Sequence, residues 1–334
     1  MYPPAPSLSV AMSVYNGERF VAAAIDSVLT QTWRDFEFLI LDDGSTDGTA
    51  RILADAAAGD PRIRVIAREN RGLIASLNEL VEAARAAIIA RMDADDICEP
   101  DRFARQLAFL AEHPEVGVVG TATHDIDEAG QPWTGQSAPF EADHDGIVAR
   151  LVHGGTSLCH SATMFRRAVV LAAGGYRPAF RHCEDLDLWL RLTRTTRLAN
   201  IMEPLLQYRR SAVQVSSRHA EEQHIGAAIA VAAHAERASG RPDPTDGLDR
   251  LPPIDALDAL FGRSGVARTV RARVARGMLY SPQMLHGPAF DLVLDHVRDG
   301  GRGADLWRTV PRLLVHGEPW RAGRLAGALL SGSA

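Results

Sequence analysis

The chain contains no lysine; all 36 of its basic residues are arginine. That absence removes lysine-based chemistry, including Schiff bases and the lysine of a P-loop. Cysteine is scarce. Cys98, Cys159 and Cys183 are odd in number and lack metal-type spacing, so neither a disulfide framework nor a zinc site is expected, and a reducing compartment fits. No stretch approaches roughly eighteen uninterrupted apolar residues, which argues against a membrane span. Met1 to Pro6 holds no basic region followed by an apolar one, so no secretory leader is expected. Nor does a Gly-x-Gly-x-x-Gly turn follow the first strand signal, where Tyr15-Asn16-Gly17-Glu18 stands instead; a common dinucleotide binder is excluded.

What is present describes an ordinary globular protein, 46% hydrophobic and 23% charged over 334 residues, a length that suggests two domains or one with an appendage. Charge is uneven. Residues 261–334 hold 11 Arg against 5 Asp plus Glu; with −6 on the whole chain, the first 260 residues carry −12. An acidic front argues against a nucleic-acid enzyme. The basic tail interleaves Trp307, Leu313, Leu314, Val315, Trp320 and Leu325 with Arg308, Arg312, Arg321 and Arg324. That pattern fits a helix lying on an anionic membrane face, a helix packed on its own domain, or a subunit contact.

Strand and helix signals alternate through the first half, which predicts an α/β fold with a mainly parallel sheet. Strands are expected at Ser7–Val14, Phe36–Leu41, Arg62–Ala67, Ala86–Met92 and Val116–Val119. Helices are expected at Glu18–Leu29, Thr49–Ala58, Leu73–Arg85 and Asp101–Glu112, the last opened by Pro100 at its first helical position. Thr123 to Gln131 reads as a polar loop or hairpin, and the chain from Ser217 reads as mostly helical. In open sheets of this kind ligands bind beyond the carboxyl ends of the strands. Tyr15-Asn16-Gly17, Asp42-Asp43, Glu69-Asn70 and Asp93-Ala94-Asp95 all fall there. Two carboxylates one residue apart after a buried strand suit a hard cation that also holds substrate phosphates; solvated turn residues and helix caps give the same pattern.

The ordered set of motifs resembles the inverting family 2 glycosyltransferases of the GT-A fold. It runs through Ser9 to Asn16, Ser27 to Thr32, Asp42 to Thr49, Asn70-Arg71-Gly72, Asp93-Ala94-Asp95 and Glu184 to Arg191. The resemblance covers about residues 7 to 217, giving a catalytic domain over 1–217 and a helical region of unknown role over 218–334. It implies a nucleoside-diphosphate sugar donor, a UDP-sugar by default, and a glycan or lipid-linked acceptor hydroxyl in bacterial cell-envelope or exopolysaccharide synthesis. It places Ser13, Tyr15, Asn16 and Asp43 in the nucleotide pocket, with Asn70, Arg71 and Arg209 near the nucleotide sugar. Asp42 reads either as a pocket residue or as a turn cap with Ser45.

By the same resemblance Asp93 and Asp95 meet the ribose and a Mn2+ or Mg2+ ion, with Asp95 the direct ligand, and Asp96 caps the next helix. Asp185 is the base that takes the acceptor proton, with Glu184 as acceptor support or alternative base. Trp189 reads as core packing rather than a sugar-stacking platform, and His160 lies in a segment the resemblance places near the acceptor cleft, or is a satisfied buried histidine. The family histidine two positions after Arg209 is replaced by Ser211; His219, or Arg209 and Arg210 acting on the diphosphate, are the substitutes considered. The Gln-x-x-Arg-Trp signature of processive synthases is absent, which points to one sugar per encounter. The expected location is cytoplasmic, free or peripheral on the inner face of the plasma membrane, with a homodimer as the other use of the tail. Competing classes are a catalytically weak assembly module and a sugar nucleotidyltransferase; the second lacks a Gly-rich activation loop after strand one.

Overall fold

The computed structural model describes residues 5–135, 139–153, 155–210, 219–279, 287 and 289–331. Its contacts divide the chain into two compact units, Met1–Pro178 with Glu184–Gln214, and Ala179–Cys183 with Val215–Ala334.

The first unit is built on one eight-stranded sheet. Its strands are β1 (Leu8–Val14), β2 (Phe36–Asp42), β3 (Ile63–Ala67), β4 (Ile88–Asp93), β5 (Ile97–Cys98), β6 (Val116–Ile126), β7 (Met164–Arg166) and β8 (Arg197–Arg209), in the order β3-β2-β1-β4-β7-β6-β8-β5. The β3-β2-β1-β4 half is wholly parallel. Strands covered on both faces read as near-continuous apolar runs, and β1 (LSVAMSV) and β2 (FEFLILD) do so. Glu37 is the exception in β2. Buried there, it accepts from Ser9 Oγ at 2.6 Å and from the backbone N and Nε of Arg85, both at 2.7 Å. Helices α1 (Val21–Leu29), α2 (Thr49–Gly59), α3 (Leu73–Ala83) and α4 (Arg102–Glu112) alternate with the strands. Leu8, Val10, Met12, Phe38, Ile40, Phe103 and Met164 lie in the resulting core.

β7 runs antiparallel to both β4 and β6, and β8 runs parallel to β6 along most of its length. The Thr123–Gln131 segment takes the hairpin form: it is strand as far as Ile126, turns at Asp127–Gly130 and returns to an antiparallel bridge between Ile126 and Pro132. Two other points differ from the sequence expectations. The thirteen-residue β8 has no counterpart among the expected strands, because Asn200, Glu203 and Pro204 interrupt its apolar pattern. Pro100 precedes the Asp101 cap of α4 and lies outside the first turn, its carbonyl accepting from Thr32 N at 2.9 Å.

The second unit is mostly helical over its described length, with its longer helices at Ala220–Ala238, Val266–Met278, Ala289–Arg298, Ala304–Val315 and Pro319–Ser331. Ala275, Leu279, Phe290, Val293, Leu306, Leu313, Leu325 and Leu329 share one core. Leu313 and Leu325 of the interleaved tail pattern therefore point inward. Trp307, Leu314, Val315 and Trp320 stay exposed. Among the described residues no helix is long and apolar enough to cross a membrane.

Candidate functional site

Parallel register brings four polar loops to one rim. Ser13 stands level with Leu41 and Asp93, and Val14 with Asp42, which in turn pairs with Ala67. The loops after β1, β2, β3 and β4 thus leave the sheet at nearly the same height, each carrying a cluster that the sequence singled out. Gly44 (φ 80°) lets the loop after β2 turn against the loop after β3; a Cβ there would lie 2.7 Å from Asn70 N.

These loops are tied to one another. Asn16, at φ 52°, accepts from Thr46 N at 2.7 Å and donates from its backbone to Ser45 Oγ at 2.9 Å. Its side-chain carbonyl therefore fastens two loops together. Asp42 Oδ1 accepts from Ser45 N at 2.9 Å, the turn-capping contact. Asp43 is buried and receives Arg71 N at 2.9 Å, Gly72 N at 2.8 Å and the Arg68 guanidinium. It anchors the Asn70-Arg71-Gly72 segment, whose Asn70 and Arg71 side chains are exposed. Tyr15 is 53% exposed at the mouth, available to a flat ligand, and Ser13 is half-buried beside Asp93.

At the end of β4 the carboxylates of Asp93, Asp95 and Asp96 offer oxygens within 4.8 Å of one another. Their environments differ. Asp96 is buried, accepts from Ser161 Oγ and from Arg209 N at 2.8 Å, and so brackets β8 to the turn before β7. The expected helix cap is corrected: the two-residue β5 intervenes, and Asp101 holds the cap position of α4. Asp95 is pushed up to about 6, by burial first and by Asp93 second. A carboxyl raised by burial and by an acidic neighbour gains from a hard dication placed beside it. Asp93 and Asp95 fit such an ion; Asp96, with both oxygens engaged, does not.

The sequence reading missed Arg91. It is 3% exposed on β4, two residues before Asp93 and on the same face, and it forms an ion pair with that carboxylate. Its charge also acts on Tyr176, Glu184 and Asp185. One arginine inside the otherwise apolar Ile88–Met92 run was the available signal.

Glu184 and Asp185 open the helix Glu184–Leu192. Burial, then Asp185, drives Glu184 up to about 8. Burial also raises Asp185, opposed by the backbone N–H of Leu186, which its Oδ1 accepts at 2.7 Å, and by Arg91. Asp93 acts on both of these carboxyls. The third acid is different: Asp187 is fully buried between Arg177 and Arg191, the latter at 3.0 Å, and serves the fold. Trp189 is 1% exposed and packs inside, edge-on to the half-buried His160, whose Nε2 lies 2.9 Å from Tyr176 Oη.

The two arginines considered for the diphosphate are engaged with protein. Arg209 is buried, donates from Nε to the Asp95 carbonyl at 2.7 Å, and lies over the Phe20 ring. Arg210 pairs with Asp125 at 2.8 Å. Ser211 lies outside the described residues.

A parallel half-sheet with four polar loops on one rim, a paired-aspartate strand end and a partly buried acidic pair at a helix start has the build of a GT-A glycosyltransferase. The profile of glycosyl transferase family 2 matches residues 9–172. The chain is 40% identical over 190 residues to EpsE of Bacillus subtilis (strain 168), a match spanning 56% of this chain and 66% of that protein. It is 32% identical over 206 residues to the O-antigen biosynthesis glycosyltransferase WbnJ of Escherichia coli, covering 60% of this chain and 79% of WbnJ. TarS 1-349 of S. aureus, solved with UDP-GlcNAc, superposes with a TM-score of 0.62 at 15% identity, over 97% of this chain and 91% of that one. The chain belongs to glycosyl transferase family 2.

Proposed function

We propose that this glycosyltransferase moves one sugar per encounter, with inversion, from a nucleoside-diphosphate donor to a hydroxyl of a glycan or glycolipid. The observation that carries the reading is geometric: parallel register sets the loops after β1, β2, β3 and β4 on one rim, where Asp93 and Asp95 offer carboxylate oxygens within reach of one ion. In this reading the Glu184–Asp185 pair serves the same reaction centre.

In this mechanism the exposed Tyr15 and the half-buried Ser13 border the base and ribose, and Asp43 holds the Asn70–Gly72 segment against the nucleotide. Asp93 and Asp95 are the residues that would hold Mn2+ or Mg2+. Such a cation supplies positive charge to the leaving diphosphate. Asp185 accepts the proton of the acceptor hydroxyl as that oxygen bonds to the anomeric carbon and the bond to the diphosphate breaks on the opposite face. The products are the glycoside, the nucleoside diphosphate and a protonated Asp185. Glu184, held protonated near neutrality, can donate a hydrogen bond to the acceptor. Arg209 acts here as a brace, fixing the Asp95 backbone.

A UDP-sugar is the default donor, a choice consistent with TarS, which shares the fold and was solved with UDP-GlcNAc. The relationship to WbnJ favours an acceptor in envelope or extracellular polysaccharide synthesis. Exposed Trp307, Leu314, Val315 and Trp320 beside Arg308 favour contact of the helical unit with an anionic lipid face. A panel of UDP-, GDP- and dTDP-sugars, assayed for nucleoside diphosphate release with and without Mn2+, tests the core reading. One donor should be turned over with metal added. Release of pyrophosphate from a nucleotide triphosphate plus sugar phosphate would replace it with nucleotidyl transfer, and no turnover or binding of any donor would favour an assembly module.

A further inference from the structure

Two interior glycines of the Pro319–Ser331 helix have no packing role. Glycine in a helix interior is costly relative to alanine, and its usual return is the close approach of a neighbouring element. Here a Cβ built on Gly323 or Gly327 would meet no side chain and no other element within 4 Å. What the glycines leave is space, a cavity of about 510 Å³ shared with the Ala289–Arg298 helix. That size falls among small-molecule sites, about 300–1,000 Å³. All its lining residues belong to the helical unit.

The chemistry of the lining is a second, independent observation. Leu294, Val297 and Ala328 join the two glycines as an apolar floor, along about 12 Å of helix from Gly323 to Ser331. Helical spacing puts Trp320 and Leu330 on the same face as the glycines, and both are exposed, so the trough interrupts an apolar stripe. The charged part is Arg298, Arg302 and Arg324; among the described residues no carboxylate and no aromatic ring lines the cavity. Arg324 lies 4.6 Å from the Trp320 ring centroid and 5.9 Å from that of Phe290, which orients its guanidinium plane. Arg302 donates to the Val297 and Gly301 carbonyls at 3.0 and 2.7 Å. Outside the cavity, Asp291 stands 3.3 Å from Arg324 and Asp295 2.7 Å from Arg298. Solvent-exposed pairs of this kind contribute little, so a phosphate can take these donors in a bidentate fork.

We propose that this cavity takes an anionic phospholipid. Its phosphate meets Arg298, Arg302 and Arg324, and the first carbons of one acyl chain lie in the trough over Gly323 and Gly327. Three guanidiniums without an acid among the lining residues call for an anion, and the apolar floor calls for a hydrocarbon attached to it. A nucleotide is the poorer fit, since no ring lines the cavity to stack on a base. The inference rests on the reading that the helical unit meets an anionic lipid face, and narrows it to one lipid at one place.

The test uses the full chain and a lipid short enough to stay monomeric in water, dihexanoyl phosphatidic acid, titrated by calorimetry. It should fill a single saturable site. Inorganic phosphate, which lacks the chain, and dihexanoyl phosphatidylcholine, whose head has no net charge, should each bind at least roughly tenfold more weakly; tenfold is the worth of about two buried methylene groups. Gly323→Leu and Gly327→Leu fill the trough with the protein's own side chain. Each should cut phosphatidic acid binding by at least roughly tenfold while the melting temperature holds or rises, because leucine is the better helix former. A purely structural role for the glycines predicts the reverse. Arg298→Gln should weaken phosphatidic acid and inorganic phosphate together.

Phosphatidic acid binding unchanged in both glycine variants overturns the site. So does a parent protein that does not bind this lipid, or that binds inorganic phosphate equally well. A dimer that Gly327→Leu dissociates would assign the trough to a second copy of the chain instead. Flotation with anionic vesicles by a parent that ignores the soluble lipid removes the cavity and leaves the broader reading. Binding of the soluble lipid without flotation keeps the cavity and removes the broader reading.

Discussion

Arg91 lies buried beneath the rim and forms an ion pair with Asp93, the residue that ends its own strand. A buried cation at this point offsets an acidic cluster that would otherwise repel itself, and it biases the Glu184–Asp185 pair toward ionisation. Removing one partner of a buried pair is costly because the other charge stays behind. With Asp93 only partly buried, Arg91→Met should lower stability by about 1–3 kcal/mol. It should also move the acid limb of the rate profile to higher pH, because Asp185 loses a compensating charge. Thermal unfolding and a pH–rate profile check both.

Asp185→Asn should reduce kcat by roughly 10²–10⁴-fold, the usual worth of a general base. The donor KM should change little, since the carboxylate acts on the acceptor. Full turnover by this variant in steady-state assays would remove Asp185 from the mechanism.

Both members of the acidic pair are raised, and the sign of the pH effects follows. Asp185 must be ionised to accept a proton, so activity should fall as pH drops through a value above the ordinary aspartate range. Glu184 contributes stability fully below about 4.5, its unfolded value, and that contribution disappears as pH rises through about 8. Glu184→Gln should therefore be more stable than the parent at pH 8.5 and nearly equal at pH 4.5. Melting temperatures at the two pH values measure this.

Asp95→Asn should abolish the Mn2+ or Mg2+ requirement together with most turnover, while the fold persists because Asp95 makes its brace through its main-chain carbonyl. Arg209→Ala should instead lower the melting temperature, since it frees the Asp95 and Asp127 carbonyls from the guanidinium while the backbone N–H still holds Asp96. Titration of nucleoside diphosphate with and without metal separates the two effects.

Exposed Trp307 and Trp320 lead to a fifth test. The full chain should co-float with anionic vesicles at low salt and detach as salt rises, and a Trp307→Ala, Trp320→Ala double variant should remain in solution. Equal flotation of parent and double variant would remove these side chains from the contact.

Much of the rim was legible because strand ends and acidic loops are local features. The apolar runs of β1, β2 and β4 and the clusters that follow them announce an α/β sheet, and parallel register then aligns the clusters without further information. β8 was illegible for the opposite reason. Its mixed sequence becomes a strand only by pairing with β6 far away in the chain.

The sequence by itself determined the alternating architecture, the order of the family motifs and the candidate acids Asp93, Asp95, Glu184 and Asp185, because each is written in neighbouring residues. Tertiary structure alone decided how chemically similar residues divide their work. Asp96, Asp187 and Arg209 became braces, Arg91 became the buried counter-charge, and His219 stacked on His182. The physical reason is that a side chain's protonation and partners depend on burial and on charges brought close by folding, and linear spacing encodes neither.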